Sequence, residues 1–163
     1  MDEKYIPAFA NWYSNGIPYE LFYCIDKSLH EVYLNHSYLI ENGVHERSIV
    51  FWFGIYFYQC LQKTRYRKCN LDFEYNKNLD DVKRTETFLN GTYPDLILHK
   101  RGTNKYNILV LEFKTWWNDN SNRDIEKLKD FLNQDGEYRY KFGAFVRFKK
   151  EIPEVMIIRG ETE

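Results

Sequence analysis

The pattern of apolar and polar positions predicts two helices in the first half of the chain. Apolar residues recur at intervals of three and four over Asp26–Ile40, with Asp26 and Ser28 as able caps, and Asn42–Gly43 ends the pattern. The next apolar stretch, Glu46–Lys63, has the length of a helix but the β-branched and aromatic content of a strand. Its length favours a helix. The aromatic segment before residue 25, interrupted by Pro and Gly, predicts an irregular arm or short helices.

The second half of the chain is predicted to form strands around one helix. Residues 69–78 alternate apolar and polar side chains, as a half-buried strand does, and a polar loop follows over residues 78–91. Two apolar runs, Asp95–His99 and Ile108–Lys114, form a hairpin whose turn offers Gly102 and Asn104 for positive φ angles. An amphipathic helix over residues 119–133 precedes strands at residues 142–148 and 154–160.

The predicted order of elements indicates the fold class. A strand–helix–strand crossover after a three-strand meander is typical of an α/β sandwich, with a central mixed sheet flanked by helices. A chain of 163 residues is most simply one domain. We therefore expect a single domain over residues 1–163, with an N-terminal helical and aromatic extension to residue 43 and a core from residue 44.

Composition limits the cellular compartment and the binding partners that can be expected. The net charge of −1 gives no global basic footprint for nucleic acid, so any such affinity would come from a local groove, a dimer or a protein partner. Three cysteines without a CxxC pair argue against a disulfide framework and a zinc site, and fit a reducing cytoplasm. No signal-peptide pattern is present, and the longest apolar run, Ile49–Tyr58, is too short to span a bilayer. We expect a cytoplasmic protein without a membrane partner.

The predicted hairpin carries charges where buried strands rarely have them. Glu112 and Lys114 interrupt an apolar strand and share one face, since side chains alternate along a strand. Asp95 opens the partner strand and joins them if the register is right. Neighbouring carboxylates raise each other's pKa unless a cation binds between them, and such oxygen ligands suit Mg²⁺ or Mn²⁺. The pattern therefore predicts a metal site beside a lysine that can orient an attacking water.

These residues resemble a known signature. Pro94–Asp95, a gap of sixteen residues and then Glu112-Phe113-Lys114 resemble the motif of the PD-(D/E)XK nuclease superfamily. The resemblance covers Glu46–Phe148 and implies a restriction endonuclease-like αβββαβ sandwich. The segments DFEYNKN, PDLILHKRG and DIEKLKDFLNQDGEYRYKFGAF are also similar to an uncharacterised branch of that superfamily.

The resemblance implies an activity and roles for individual residues. The activity is metal-dependent hydrolysis of phosphodiester bonds, in DNA rather than RNA, with Mg²⁺ or Mn²⁺ as cofactor. Asp95, Glu112 and the carbonyl of Phe113 would hold the metal, Lys114 would position the water, and Glu46 would assist. Glu46 equally suits an ordinary acidic residue in the first turn of a helix. Candidate nucleic-acid contacts are Lys83, Arg84, Lys100, Arg101, Lys127, Tyr138 and Tyr140, and candidate supporting acids are Glu74 and Asp124.

Alternatives from other classes remain open. Folds do not fix function, so a catalytically inactive binding or assembly protein is the main alternative. It would dock through the aromatic N-terminal residues Phe9, Trp12, Tyr13, Tyr19, Phe22 and Tyr23. RNA is the alternative substrate. Trp116–Trp117 suits either a base-stacking platform or a cover over the core edge.

Overall fold

The computed structural model describes residues 16–118 and 120–160. Three residues of the predicted aromatic arm, Phe9, Trp12 and Tyr13, and the first residue of the predicted second-half helix, Asp119, lie outside the described residues.

Two helices open the described chain. Helix α1 (Tyr19–Glu41) begins earlier than predicted, because Pro18 caps it and its buried stripe already includes Leu21 and Phe22. Phe22 therefore belongs to the core, which removes it from the proposed docking arm. Helix α2 (Glu46–Leu61) confirms the helix favoured by length. Across residues 16–118 and 120–160, every helix is too short or too polar to cross a membrane.

The remaining elements confirm the predicted α/β class with a mixed sheet. They are a 3₁₀ turn (Arg65–Lys68), β1 (Asn70–Phe73), β2 (Lys77–Asn78), β3 (Asp81–Val82), β4 (Leu96–His99), β5 (Leu109–Thr115), α3 (Asn122–Leu132), β6 (Phe142–Phe148) and β7 (Glu154–Arg159). Among the described residues, one five-stranded sheet has the order β1-β4-β5-β6-β7, and β2 and β3 form a separate small hairpin. Neighbours are antiparallel except β5 and β6, which are parallel and joined through α3.

Two local predictions were wrong. The strand predicted over residues 69–78 ends at Phe73, because the next residue, Glu74, turns the chain with a φ of 42°. In the β4–β5 turn, Gly102 adopts the expected positive φ of 76°, but Asn104 does not. The Asn104 side chain instead donates a hydrogen bond to Asn78 Oδ1 at 2.9 Å, which ties this turn to the β2–β3 hairpin.

The sheet separates two hydrophobic layers. Leu96, Leu98 and Phe113 face a core shared with α1 and α2, and Phe113 meets Phe53 at 5.0 Å between ring centroids. Ile97 and Val110 face the opposite layer, which α3 covers. Because side chains alternate along β5, Glu112 and Lys114 also lie on the α3 side.

A disulfide joins the two N-terminal helices. Cys24 on α1 and Cys60 on α2 are bonded, with their Cα atoms 5.5 Å apart, whereas Cys69 is not in a disulfide. The expectation against disulfides was therefore wrong. The partners lie 36 residues apart in the sequence, and only the packing of α1 against α2 brings them together. The cytoplasmic location stays a prediction.

Candidate active site

The β4–β5 hairpin brings Asp95 and Glu112 together. Leu96 pairs with Leu111 in the antiparallel ladder, so the same register continued by one residue sets Asp95 opposite Glu112. The contact is fixed by a hydrogen bond, in which the backbone N–H of Phe113 donates to Asp95 Oδ2 at 2.7 Å. The hairpin thus has the register that the sequence hypothesis required.

Glu112 is a buried carboxylate with an incomplete set of partners. Its side chain is 0% exposed, and Lys127 Nζ lies 2.6 Å from its Oε2 atom. Apart from Lys127 and an interaction with the Asp95 side chain, its two oxygens have no hydrogen-bond donor among the described residues. Burial and the negative charge of Asp95 raise the pKa of Glu112 well above its usual range, although the Lys127 ammonium opposes the shift. A buried carboxylate oxygen without a donor is costly, so a cation beside Oε1 would stabilise it.

Two further carboxyl groups near Glu112 have raised pKa values. Burial raises the pKa of Asp95, against the opposing effects of Lys127 and the Phe113 N–H. Glu46 begins α2, and burial followed by the charge of Asp95 raises its pKa to about 7, against the ammonium of Lys114. Asp95 contributes to the raised pKa of both Glu46 and Glu112, so the three carboxyl groups of this cluster interact electrostatically, and a bound cation would favour their ionised forms.

Helix α3 supplies counter-charges to both strand residues. Lys114 Nζ lies 2.7 Å from Asp124 Oδ2, in the first turn of α3, and both side chains are 14% exposed. One turn later, Lys127 reaches Glu112 and also lies 4.0 Å from Asp124 Oδ1. The structure therefore places Asp124 and Lys127 inside the site. Their spacing of three residues was the sequence signal that both lie on one helix face.

Two predicted nucleic-acid contacts lie far from this cluster. Lys100 and Arg101 follow the C-terminal end of β4, whereas Asp95 precedes its first residue. Lys100 lies five positions along the extended chain from Asp95, a distance of about 16 Å. The Arg101 guanidinium is ion-paired with Asp72, and the Lys100 ammonium lies over the Tyr106 ring at 5.5 Å. These two residues therefore do not lie beside the carboxylate cluster, and their contact with nucleic acid stays a prediction.

Three other residues predicted to contact nucleic acid, Lys83, Tyr138 and Tyr140, are buried close to one another. Lys83 is 2% exposed and its ammonium lies 5.2–5.8 Å from the ring centroids of four aromatic residues. These residues are Tyr75, Phe131, Tyr138 and Tyr140. Burial lowers the pKa of Lys83 to about 8, with Asp72 opposing. Lys83, Tyr138 and Tyr140 therefore stabilise the α3 layer and are not presented to a phosphate, which corrects their assignment.

The predictions for Arg84, Trp116 and Trp117 differ in how they compare with the structure. Arg84 is exposed and only its backbone is engaged, with its N–H donating to Tyr138 Oη at 3.0 Å, so a role for its side chain stays a prediction. Trp116 donates its indole N–H to the carbonyl of Ile40 at 2.9 Å and covers the core edge. Trp117 is 38% exposed and packs edge-on against Trp116, so only Trp117 is available for stacking.

Among the described residues, two cavities border the site. One is an apolar cavity of about 240 Å³ that Glu46, Asp95 and Glu74 line, and there Glu74 is ion-paired with Arg47 at 2.7 Å. The other is a polar groove of about 500 Å³ beside α3. The residues lining the groove include Lys114, Asp124, Lys127, Tyr93, Asn118 and Arg123. Sequence patterns did not single out the last three, because they lie on loops or exposed helix positions.

The residues present suit a hard divalent cation that keeps several water ligands. Within residues 16–118 and 120–160, no three His, Cys, Asp or Glu side chains are arranged to enclose a metal ion. Mg²⁺ is usually bound through only one or two carboxylates, with waters completing its octahedron. Asp95 and Glu112 supply such a pair, and Phe113, whose carbonyl is the third candidate ligand, follows Glu112 in the sequence.

The raised pKa values predict how stability depends on pH without metal. A carboxyl group whose pKa rises from 4.5 to about 7 on folding stabilises the fold when protonated, and this contribution is lost as pH rises through about 7. The free energy of unfolding should therefore fall between pH 4.5 and about pH 7. In EDTA, Glu46→Gln should lessen this fall. Urea titrations across this range measure the effect, with exposed Glu126→Gln as control. An unchanged slope in Glu46→Gln would contradict the prediction.

Comparisons of the chain with protein-family models, with curated proteins and with solved structures gave no match.

Proposed function

We propose that this protein is a metal-dependent nuclease of the PD-(D/E)XK type, which hydrolyses phosphodiester bonds with DNA as its favoured substrate. The observation that carries the proposal is the position of Asp95 opposite Glu112 in the β4–β5 hairpin, with Lys114 two residues further on the same face. Their shared face follows from strand geometry. Charged residues that occurred in these two strands by chance would not be expected to face each other in this register.

The topology supports the same assignment. Helix α2 precedes an antiparallel meander of β1, β4 and β5, and α3 then leads to β6 parallel to β5. This is the order of a restriction endonuclease-like αβββαβ core, with β7 added at the far edge and α1 in front. The candidate residues lie at the end of β5 from which the chain passes through α3 into β6.

The proposed roles follow from position and charge. Asp95, Glu112 and the Phe113 carbonyl would hold Mg²⁺ or Mn²⁺, with Glu46 beside Asp95 as an additional acid. When bound, such an ion binds a phosphodiester oxygen and lowers the pKa of water. Lys114 lines the polar groove, where its ammonium can orient a water and stabilise negative charge on the phosphate. The groove beside α3 is then the path of the substrate backbone.

Metal binding separates this proposal from the alternative of an inactive binding protein. Mn²⁺ should raise the melting temperature of the wild-type protein, because a ligand that binds only the folded state stabilises it. Asp95→Asn should remove the shift, and exposed Asp135→Asn should retain it. A wild-type protein that shows no Mn²⁺-dependent shift and cleaves neither DNA nor RNA would favour the binding protein.

A further inference from the structure

Lys127 occupies the position next to Glu112 where a metal's charge would be needed. Its ammonium lies 2.6 Å from Glu112 Oε2 and donates a hydrogen bond to the carbonyl of Tyr93 at 3.2 Å. The Lys127 side chain is only 13% exposed, so this pair is shielded from water. A shielded ion pair is strongly coupled, and removing one partner leaves a costly unpaired charge. Lys127 therefore neutralises Glu112 in the structure described here.

A second cation arriving at Glu112 would conflict with this arrangement. A divalent ion at Oε1 and the Lys127 ammonium at Oε2 would repel each other across one buried carboxylate, which weakens the hold of Glu112 on Lys127. The side chain of Lys127 has another carboxylate within reach, since Asp124 Oδ1 lies 4.0 Å from its Nζ. A short movement along α3 would exchange one partner for the other.

That exchange would affect Lys114. Asp124 holds Lys114 through its other oxygen, with Lys114 Nζ 2.7 Å from Oδ2. An ammonium that approaches Oδ1 weakens the attraction between Asp124 and Lys114, because one carboxylate charge is then shared by two cations. Lys114 also lines the polar groove, so an ammonium released from Asp124 faces the space proposed for substrate.

We propose that Lys127 is an internal counter-cation that takes the metal's place at Glu112, moves to Asp124 when the metal binds, and thereby frees Lys114 for the phosphodiester. This inference rests on the proposed function and adds a regulatory device to the same site. It makes Lys127 a positioning residue, which acts through Glu112 and Asp124. It also gives a reason for the ion pair between Lys114 and Asp124.

The test is a set of Mn²⁺ titrations by calorimetry at a fixed pH of about 8, because metal affinity depends on pH. The variants are Lys127→Met, Asp124→Asn, the double variant, and Lys129→Met as a matched control on the exposed face of α3. Lys127→Met should tighten Mn²⁺ binding by about tenfold, the size of a coupling between contacting groups. Asp124→Asn should weaken binding, because Lys127 loses its second acceptor. The double variant should bind as tightly as Lys127→Met.

A measurement on the wild-type protein covers the case in which Lys127→Met does not fold. Acetic anhydride labels exposed, unpaired lysines, and mass spectrometry gives the rate at each position. Addition of Mg²⁺ should raise the labelling rate of Lys114 severalfold relative to Lys129. An unchanged Lys114 rate with Mg²⁺ bound would overturn the inference.

The outcomes separate this inference from the proposed function. If wild-type protein binds Mn²⁺ but Lys127→Met binds it equally or more weakly, the counter-cation role is wrong and the metal site stands. If Lys127→Met alone binds Mn²⁺ measurably, the counter-cation role is supported, whereas the metal-dependent activity proposed for the wild-type protein is not. If none of the variants binds Mn²⁺, the metal site and the counter-cation role fail together.

Discussion

Replacement of Lys114 by Met is expected to reduce Mg²⁺-dependent cleavage by about a thousandfold, the effect of removing one charge-stabilising donor from an active site. Methionine keeps most of the length of the side chain and removes the ammonium. Asp124 loses its closest partner in this variant, but Lys127 already lies 4.0 Å away and can replace it. The fold should therefore change little, and metal binding should be retained.

Single-turnover cleavage and Mn²⁺ calorimetry on the same preparation measure the two expectations for Lys114→Met. Lys105→Met, in the exposed turn of the same hairpin, is the matched control and should cleave like the wild type. A Lys114→Met protein that keeps undiminished cleavage would remove Lys114 from the reaction. Loss of Mn²⁺ binding in the same variant would indicate a structural role instead.

Replacement of Glu112 by Gln should abolish both metal binding and cleavage. Glutamine has nearly the same shape, so the fully buried site keeps its packing, but it lacks the anionic oxygens that a hard cation requires. We expect Mn²⁺ affinity to fall by at least about a hundredfold, more than the loss of an outer-shell partner causes. Cleavage should fall by at least about a thousandfold, because positioning and charge stabilisation fail together.

Calorimetry and cleavage of Glu112→Gln are best compared with Glu126→Gln. Glu126 is an exposed residue of α3 close in sequence to Lys127, and its neutralisation should leave both measurements unchanged. Circular dichroism establishes that Glu112→Gln is folded. Metal binding that survives in a folded Glu112→Gln protein would place the cation elsewhere.

Local patterns predicted the hairpin and the facing of its charged residues. The β4–β5 register depends on two apolar runs and the turn between them, all within a short segment, so the facing of Asp95 and Glu112 could be expected from the sequence. Strand β6 and helix α2 were also predicted, because each is one continuous apolar segment bounded by clear termini. The start of α1 was missed, since its aromatic first turns resemble an irregular arm.

Features that depend on packing between segments far apart in the sequence were not predicted. The Cys24–Cys60 disulfide requires α1 to lie against α2, and nothing in the spacing of the cysteines indicates this contact. Lys83 belongs to a polar loop, where lysines are ordinarily solvated, and only the folding of that loop over α3 buries it among aromatic rings. The partners of Asp124 and Lys127 likewise depend on where the crossover helix crosses the sheet.

The central claim is that the Asp95–Glu112–Lys114 cluster hydrolyses phosphodiester bonds with a divalent metal ion. Its most direct test is incubation of wild-type protein and Glu112→Gln with duplex, nicked, branched and single-stranded DNA and RNA, in Mg²⁺, Mn²⁺ or EDTA. The account predicts wild-type cleavage of at least one DNA substrate in Mg²⁺ or Mn²⁺, and none in EDTA or by Glu112→Gln. Equal cleavage by the two proteins, or none by the wild type under any condition, would contradict it.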